Sequence, residues 1–203
     1  MTPELTHALQ HYVRTFSTET DRVVETLDQD ALVQAAELIL RAKQDGKRLH
    51  LSGIGKPSYV AGYGASLIAS TGTPAYVLHG TEAVHGSAGQ LVPGDVVILI
   101  SNSGETAELL ATAHAAKANG AVLIAITSNP DSSLAQLAEV HLRAAVENEG
   151  GPLNRAPRAS IVVELFIVQA LSVLLQADTD LSPEDYVRRH PGGALGQLRD
   201  DEA

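Results

Sequence analysis

Short apolar runs alternate with amphipathic stretches along most of this 203-residue chain. Five runs rich in β-branched and aliphatic residues predict strands, at residues 48–52, 75–78, 96–100, 122–127 and 140–146. Helical spacing predicts helices at 59–70, 105–119 and 133–138, and a long apolar helix at 160–177. Strands that alternate with helices form βαβ units. The pattern therefore predicts an α/β fold, in which helices cover both faces of a parallel sheet.

Both ends of the chain add helices to this pattern. Residues 4–45 predict two amphipathic helices with a break at 27–30, which we expect to pack on the main domain of residues 46–203. Near the other end, Ser182 has the chemistry of an N-cap, Pro183 follows at the first helical position, and Asp185 places a carboxylate in the first turn. A short final helix is predicted there, and the whole chain is expected to form one structural domain.

The composition narrows the class of protein. Acidic residues outnumber basic ones by 24 to 14, for a net charge of −10, which argues against nucleic acid as a partner. No cysteine is present, so disulfides, thiolate chemistry and cysteine-bound metals are excluded. The first residues lack the layout of a signal peptide, and the apolar run 161–168 contains Glu164 and is too short to span a bilayer. These features lead us to expect a cytoplasmic protein with no membrane partner.

Candidate chemistry collects where the predicted strands end. Lys56, His79, Ser101 and Thr127 all fall at or just after a strand C-terminus. In open parallel sheets the ligand lies outside the carboxyl ends of the strands. We therefore expect the functional groups on this one edge.

The segment Ser101–Thr106, with sequence SNSGET, follows the third strand and precedes a helix. Such a turn presents backbone N–H groups and hydroxyls at the positive end of a helix dipole, which suits a phosphate. The alternative is an ordinary helix start that Ser103 caps without any ligand. Glu105 and Glu108 are predicted in the first helical turn, where the dipole alone favours acids. Glu108 lies close enough to an anchored phosphate ester to act as a general base.

The turn Gly53–Lys56, with sequence GIGK, invites two familiar interpretations that fail. A P-loop needs glycine at the position of His50 and a hydroxyl residue at the position of Pro57, and a dinucleotide fingerprint needs glycine in place of Ser58. What remains is a tight strand-to-helix turn with Gly55 before Lys56. The lysine is either simply solvated or a clamp for a phosphate or a developing oxyanion.

Histidines provide the remaining candidates. His79 and His85 share a loop after the second strand, but their spacing matches no metal-ligand motif, so a required metal is not expected. The open alternatives are incidental surface histidines, acid/base or sugar-hydroxyl binding by His85, and capture of inhibitory zinc by the His79/His85 pair. His190 ends the last predicted helix, where a favourable contact with the helix dipole would explain it.

Taken together, these segments resemble the sugar isomerase (SIS) domain, and within it the arabinose-5-phosphate isomerases. The resemblance covers nearly the whole chain after residue 45. Its most specific parts are STGTP, SNSGE and HPGGALG, within the matching stretches 53–56, 69–86, 95–108, 130–135, 152–157 and 182–196.

The resemblance implies a five-stranded, Rossmann-like three-layer fold, usually in a homotetramer whose sites are shared between subunits. It also implies a metal- and cofactor-free aldose–ketose isomerisation of a sugar phosphate, expected to be D-arabinose 5-phosphate and D-ribulose 5-phosphate, through a cis-enediol. The family's active-site groups fall on Lys56, His85, Glu108 and His190. Its phosphate-binding loop falls on Ser101, Asn102, Ser103 and Thr106, with Gly55 in the neighbouring turn.

The chain departs from the family pattern near the expected sugar. The family commonly has Ser-Gly-His after the lysine, Asp after His-Gly, and a hydroxyl-rich run after Ala-Pro, where this chain has residues 57–59, Ser87 and residues 158–162. These changes leave open an isomerase of another phosphosugar. A noncatalytic sugar-phosphate regulator is the other alternative, although no basic helix-turn-helix is visible. Many members also carry a pair of CBS modules, and their regulation is not expected here.

Overall fold

The computed structural model describes residues 2–202 and is built on a parallel sheet of five strands. The strand order is β2-β1-β3-β4-β5, and every neighbouring pair is parallel. The strands are β1 (Leu49–Gly53), β2 (Ala75–Val77), β3 (Val96–Ile100), β4 (Val122–Thr127) and β5 (Val140–Arg143). The predicted α/β class is confirmed.

Six of the seven α-helices within residues 2–202 cover the two faces of the sheet. Apolar side chains of α1, α2, α3 and α6 form one core with the first face, and those of α4 and α5 form a second core with the other. All five residues of β3 are buried, as expected for a strand covered on both faces. The helices are α1 (Pro3–Glu25), α2 (Gln29–Gln44), α3 (Lys56–Ser70), α4 (Ala107–Ala118), α5 (Ser133–Leu137), α6 (Ala159–Ala177) and α7 (Pro183–Arg189).

Helix α6 is long and apolar enough, by length and composition alone, to cross a membrane. Half of it is buried inside the protein, however, where it packs against α2 and α3. A helix that is apolar on most sides and lies between other helices is typical of a protein core. Its predicted extent, residues 160–177, agrees with the structure to within one residue.

Local chemistry explains most helix and strand ends. Asp28 accepts a hydrogen bond from the Ala31 N–H at the start of α2, and the Ser182 hydroxyl accepts one from the Asp185 N–H at the start of α7, as the capping pattern predicted. Strand β5 is shorter than the predicted 140–146. Its partner β4 ends at Thr127, whose carbonyl accepts the last ladder bond, from the Ala144 N–H; further along, the N–H groups at 147 and 148 donate to the buried carboxylate of Glu19 on α1.

The chain order reverses around β1. It moves from β1 to β2 on one side and then returns to β3 on the other side. In this topology a crevice opens between the carboxyl ends of the two strands at the reversal, here β1 and β3. Gly53 pairs with Ile100 at the ends of these strands. The turns Gly53–Lys56 and Ser101–Thr106 therefore leave the sheet side by side.

Candidate active site

The turn Ser101–Thr106 is held together by its own polar groups. Ser101 is buried, and its hydroxyl accepts from the Gly104 N–H and lies 3.2 Å from the Thr106 hydroxyl. The Asn102 carbonyl accepts from both the N–H and the hydroxyl of Ser128, which follows β4. Two predicted phosphate-binding hydroxyls, Ser101 and Thr106, thus contact each other. Asn102 and Ser103 are exposed.

Helix α4 begins later than predicted, at Ala107, and Thr106 is its N-cap residue without a side-chain capping bond. Ser103 does not cap the helix, since its hydroxyl accepts from the Glu105 N–H within the turn. The first N–H groups of a helix have no intrahelical partner. This start therefore offers N–H donors to an anion next to exposed Ser103.

The two acids predicted for the first helical turn separate. Glu108 is exposed in the first turn of α4. Glu105 lies outside the helix, and its carboxylate accepts a hydrogen bond of 2.8 Å from the Ser133 N–H at the start of α5. This bond lowers the pKa of Glu105. The prediction that placed Glu105 in the helix is wrong, because its carboxylate is attracted to the N-terminus of a different helix.

Lys56 starts α3 directly after the turn and is exposed. Gly55 has a φ of +67°, a conformation that glycine adopts at little cost, and its carbonyl accepts from the Ser58 hydroxyl. Within residues 2–202, no carboxylate forms an ion pair with the Lys56 ammonium. The cation is therefore available to an anionic ligand in the β1/β3 crevice.

The loop after β2 contacts both the Gly53–Lys56 turn and helix α4. Gly80 packs on the first turn, where an added Cβ would lie 2.9 Å from the Gly53 carbonyl oxygen, and its own carbonyl accepts from the Thr112 hydroxyl of α4. His85 ends a 3₁₀ turn (Glu82–His85) that packs against α4 and is exposed. A cleft of about 370 Å³ lies between the Gly53–Lys56 turn and this loop. The structure thus brings the segments of Lys56, His85 and Glu108 together at one edge.

His79 and His85, the pair predicted to capture zinc, lie on the loop after β2. His79 Nδ1 accepts from the backbone N–H groups of Thr81 and Glu82, so this nitrogen is occupied within the loop. Across the described residues 2–202, no group of three or more His, Cys, Asp or Glu side chains is arranged to hold a metal ion. Capture of zinc by His79 and His85 stays a prediction.

His190 does not join the other candidates within one chain. It ends α7, whose residues line a cavity of about 460 Å³ with Leu67 and Thr71, near the end of α3. Since α3 rises about 1.5 Å per residue from Lys56, this end lies roughly 16–22 Å away from the lysine. Two contacts with Tyr186 hold the imidazole ring of His190 in place. Its Nδ1 donates to the Tyr186 carbonyl over 2.8 Å, and it stacks on the Tyr186 ring at 4.1 Å. Nε2 is left with a free lone pair that can take up a proton.

Two carboxylates near the start of α6 escaped the sequence analysis as candidates. The Glu149 carboxylate accepts from the N–H groups of Arg158 and Ser160, and Glu164 is fully buried one turn further along the helix. The available signal was Glu164 itself, the one charged residue in α6. In the sequence its charge counted only against a membrane span.

The chain is similar to known proteins over most of its length. A model of the SIS domain matches residues 44–174. Arabinose 5-phosphate isomerase KdsD of Pseudomonas aeruginosa is 42% identical over 186 residues, which cover 91% of this chain and 56% of the relative. KdsD of Escherichia coli K12 is 43% identical over 145 residues, or 71% of this chain and 44% of the relative. The chain thus spans about half the length of these curated relatives.

A solved structure matches over its full length. The structure of the E. coli CFT073 protein c3406 in complex with arabinose 5-phosphate has a TM-score of 0.86 and 33% sequence identity, and the match covers 94% of this chain and 100% of that one.

Proposed function

The chain belongs to the SIS domain family, and we propose that it is a phosphosugar isomerase that interconverts D-arabinose 5-phosphate and D-ribulose 5-phosphate. The observation that carries this proposal is the turn Ser101–Thr106, whose uncapped helix start lies beside the turn of Lys56. The curated relatives named arabinose 5-phosphate isomerase, and the solved relative in complex with arabinose 5-phosphate, support the choice of substrate.

The phosphate is bound by the start of α4. Asn102, Ser103 and the first N–H groups of the helix contact it directly. Ser101 and Thr106 support the turn through their mutual hydrogen bond and contribute less directly than the sequence suggested. Gly55 allows the Lys56 turn to approach the sugar. Anchoring the phosphate places C1 and C2 of the open-chain sugar near the acid/base groups, which removes much of the entropic cost of the reaction.

The reaction moves one proton between carbons and one between oxygens. Glu108, as the base, removes the C2 proton of the aldose and returns it to C1 of the cis-enediol. His190 transfers the proton between O1 and O2, using the free Nε2 lone pair. Lys56 offsets the negative charge that develops on oxygen, and His85 orients the sugar or opens its ring. A second assignment to test is the reverse one, in which His190 is the base at carbon and Glu108 transfers the proton between the oxygens.

The distance of His190 from this edge supports a site that is completed by another subunit. Helix α1 also exposes an apolar stripe at helical spacing, formed by Leu5, Leu9, Val13 and Phe16. Such a stripe is suited to burial against a second copy. We propose a homo-oligomer, expected to be a tetramer, in which one chain supplies Lys56, His85 and Glu108 and its neighbour supplies His190. Because charged phosphosugars do not cross membranes unaided, we place this activity in the cytoplasm.

The decisive experiment is a panel of phosphopentoses and phosphohexoses, in which product formation and deuterium exchange at C2 are followed by NMR. We expect turnover and exchange with arabinose 5-phosphate. In Glu108→Gln and His190→Ala, kcat should fall by about 10²–10⁴-fold with KM nearly unchanged. Preference for another sugar would correct the substrate. Tight binding of every sugar without exchange would identify a noncatalytic sugar-phosphate regulator and refute the proposed function.

Mixing the two inactive variants tests the shared site. Subunits of Glu108→Gln and His190→Ala are combined one to one, unfolded and refolded together. If each site takes its two groups from different chains, random pairing restores about a quarter of the sites. Each variant refolded alone serves as the control. Absence of any recovery, in a mixture shown to contain hybrid oligomers, would place both groups in the same chain.

A further inference from the structure

Helix α6 contains a buried acid that the proposed mechanism does not use. Glu164 is 0% exposed, and neither carboxyl oxygen has a hydrogen-bond partner within residues 2–202. The hydroxyl of Ser160, one turn earlier, is also buried and has no partner in that part of the chain. Three unpaired polar atoms on one helix face are unusual, because buried polar groups are normally hydrogen-bonded. They mark a polar centre inside the first core.

The packing of α6 on α3 locates this centre. Ser160, Glu164 and Val168 lie on the same face of α6, at intervals of four residues. Val168 packs directly on Gly64 of α3, where an added Cβ would lie 2.6 Å from Val168 Cγ1, and Gln169 donates to the Tyr63 hydroxyl.

The two helices run in the same direction, since Gln176 near the end of α6 and Leu67 near the end of α3 line one cavity. Glu164 and Ser160 lie one and two turns before Val168 on α6. Because the helices are parallel, these turns lie beside the turns of α3 that precede Gly64, which are the first turns of that helix. Those turns begin at Lys56. The polar centre therefore lies directly behind the carboxyl-edge site.

A second carboxylate lies close to this centre. Glu149 precedes α6 and accepts hydrogen bonds of 2.6 Å and 3.2 Å from the N–H groups of Arg158 and Ser160. These bonds satisfy N–H groups at the start of α6, where the helix dipole favours a negative charge. Burial, and to a lesser extent the charge of Glu149, raises the pKa of Glu164 to about 8. The two acids therefore resist being charged together.

Other charged groups lie on the elements that pack against α6, but Glu149 is the one whose charge shifts the pKa of Glu164. Strand β4 carries no titratable side chain, and Glu19 of α1 is already bound by two backbone N–H groups and by Arg22. The charged side chains on the elements that pack against α6 include Lys56 on α3, Glu19 and Arg22 on α1, Glu37, Arg41 and Lys43 on α2, and Glu147, Glu149 and Arg158 on the preceding segment.

We propose that Glu164 is a positioning residue of the carboxyl-edge site: its buried carboxyl, together with Ser160, holds the first turn of α6 and its Glu149 cap in place behind the turn that carries Lys56. This inference rests on the proposed isomerase function for its catalytic consequence, but not for its structural one. A protonated carboxyl can donate one hydrogen bond and accept others, and the unpaired Ser160 hydroxyl lies one turn away on the same face of α6. Loss of the proton puts a second negative charge behind Glu149 in a poorly solvated region, which repels the cap and loosens the first turn of α6.

The test compares the wild type with Glu164→Gln and Glu164→Leu. Glutamine keeps the shape and the hydrogen bonds but cannot ionise, and leucine removes both. We expect the activity of the wild type to fall at alkaline pH. The midpoint of this loss should lie within one pH unit of about 8, and the activity should fall by up to tenfold per pH unit above it. Glu164→Gln should keep kcat at pH 7 within about threefold and shift this alkaline loss upward by at least one unit, whereas Glu164→Leu should lose about tenfold or more in kcat.

A second measurement needs no catalytic activity. Amide hydrogen exchange in residues 159–163 is compared between wild type and Glu164→Gln at the same pH, so that intrinsic exchange cancels. The wild type should exchange faster than the variant at pH 9 and equally at pH 6. A wild type without isomerase activity would refute the proposed function, and the exchange data would still decide the role of Glu164.

The positioning role is overturned by any of three results. These are an unchanged alkaline limb in Glu164→Gln, equal exchange of the two proteins at pH 9, or full activity of a folded Glu164→Leu. Should the leucine variant not fold, the pH profile and exchange of the glutamine variant decide the question alone.

Discussion

Gly104 is the position where a single methyl group should damage the phosphate turn most clearly. It has a φ of +70°, in the left-handed region, and an added Cβ would lie 2.5 Å from Ser132 Cβ and 3.2 Å from Thr127 Cγ2. Gly104→Ala therefore carries two costs. The left-handed conformation costs about 1–2 kcal/mol for a residue with a Cβ. The collision with Ser132 adds about 1–3 kcal/mol, the usual range for forcing extra volume into a packed site.

Gly46 provides a matched control. It has the same φ of +70° in the turn between α2 and β1, and an added Cβ there would meet no atom within 4 Å. Gly46→Ala therefore reports the backbone strain alone. In urea denaturation, Gly104→Ala should lose about 1–3 kcal/mol more than Gly46→Ala, which corresponds to a Tm lower by about 2–12 °C for a chain of this size.

Ligand binding separates the two variants further. Only Gly104→Ala should weaken the binding of arabinose 5-phosphate, because the collision displaces the turn that carries Ser103 from the start of α4. Isothermal titration of both folded variants measures this difference. Equal losses of stability in the two variants, together with unchanged sugar-phosphate affinity in Gly104→Ala, would refute the described packing of the turn on Ser132.

Three further outcomes are expected. Ser103→Ala should weaken sugar-phosphate binding by roughly 1–3 kcal/mol in calorimetry, whereas Ser66→Ala, an exposed serine outside the turn, should leave affinity unchanged; equal affinities would remove Ser103 from the phosphate site. Activity should survive exhaustive treatment with EDTA, and a loss that one added metal restores would overturn the metal-free mechanism. Burial lowers the pKa of His50 despite its bond to Asp95, so the folded state resists its protonation and stability should fall as the pH drops below about 6.5. In urea titrations, His50→Gln should reduce the difference in the free energy of unfolding between pH 7 and pH 5. His141, whose pKa burial also lowers, should account for part of the difference that remains. An unchanged difference in His50→Gln would contradict the role of His50.

The strands and the edge of the sheet were predictable because burial dominates them. A run such as Val96–Ile100 has no polar position, which only a strand covered on both faces explains at that length. The turns at Lys56 and Ser101 follow from those strands, since parallel strands share one carboxyl edge. The order of the strands did not follow from the pattern, although it decides which two turns meet. That information lies in the long-range packing around β1.

Contacts between distant segments limited the rest. Glu105 looked like a first-turn acid, but the start of α5, which lies 28 residues further along the chain, offers it the Ser133 N–H. Strand β5 looked longer because nothing in its own residues indicates that its partner β4 ends at Thr127, opposite Arg143. Glu164 was overlooked as a candidate for a related reason. The burial of an acid within an apolar run becomes visible only when the helices that surround it are placed.

The separation of His190 from the other candidates follows from the topology rather than from any local feature. Lys56, His85 and Glu108 each come shortly after a strand, so each begins at the carboxyl edge. His190 instead follows α6, which starts at that edge and has 19 residues, about 28 Å at the usual rise. A segment that follows such a helix without a returning strand begins at the opposite edge of the sheet, and α7 is too short to return. The segment of His190 at the opposite edge is therefore consistent with a role in the site of another copy of the chain. For this reason the mixing experiment tests the assembly and the mechanism together.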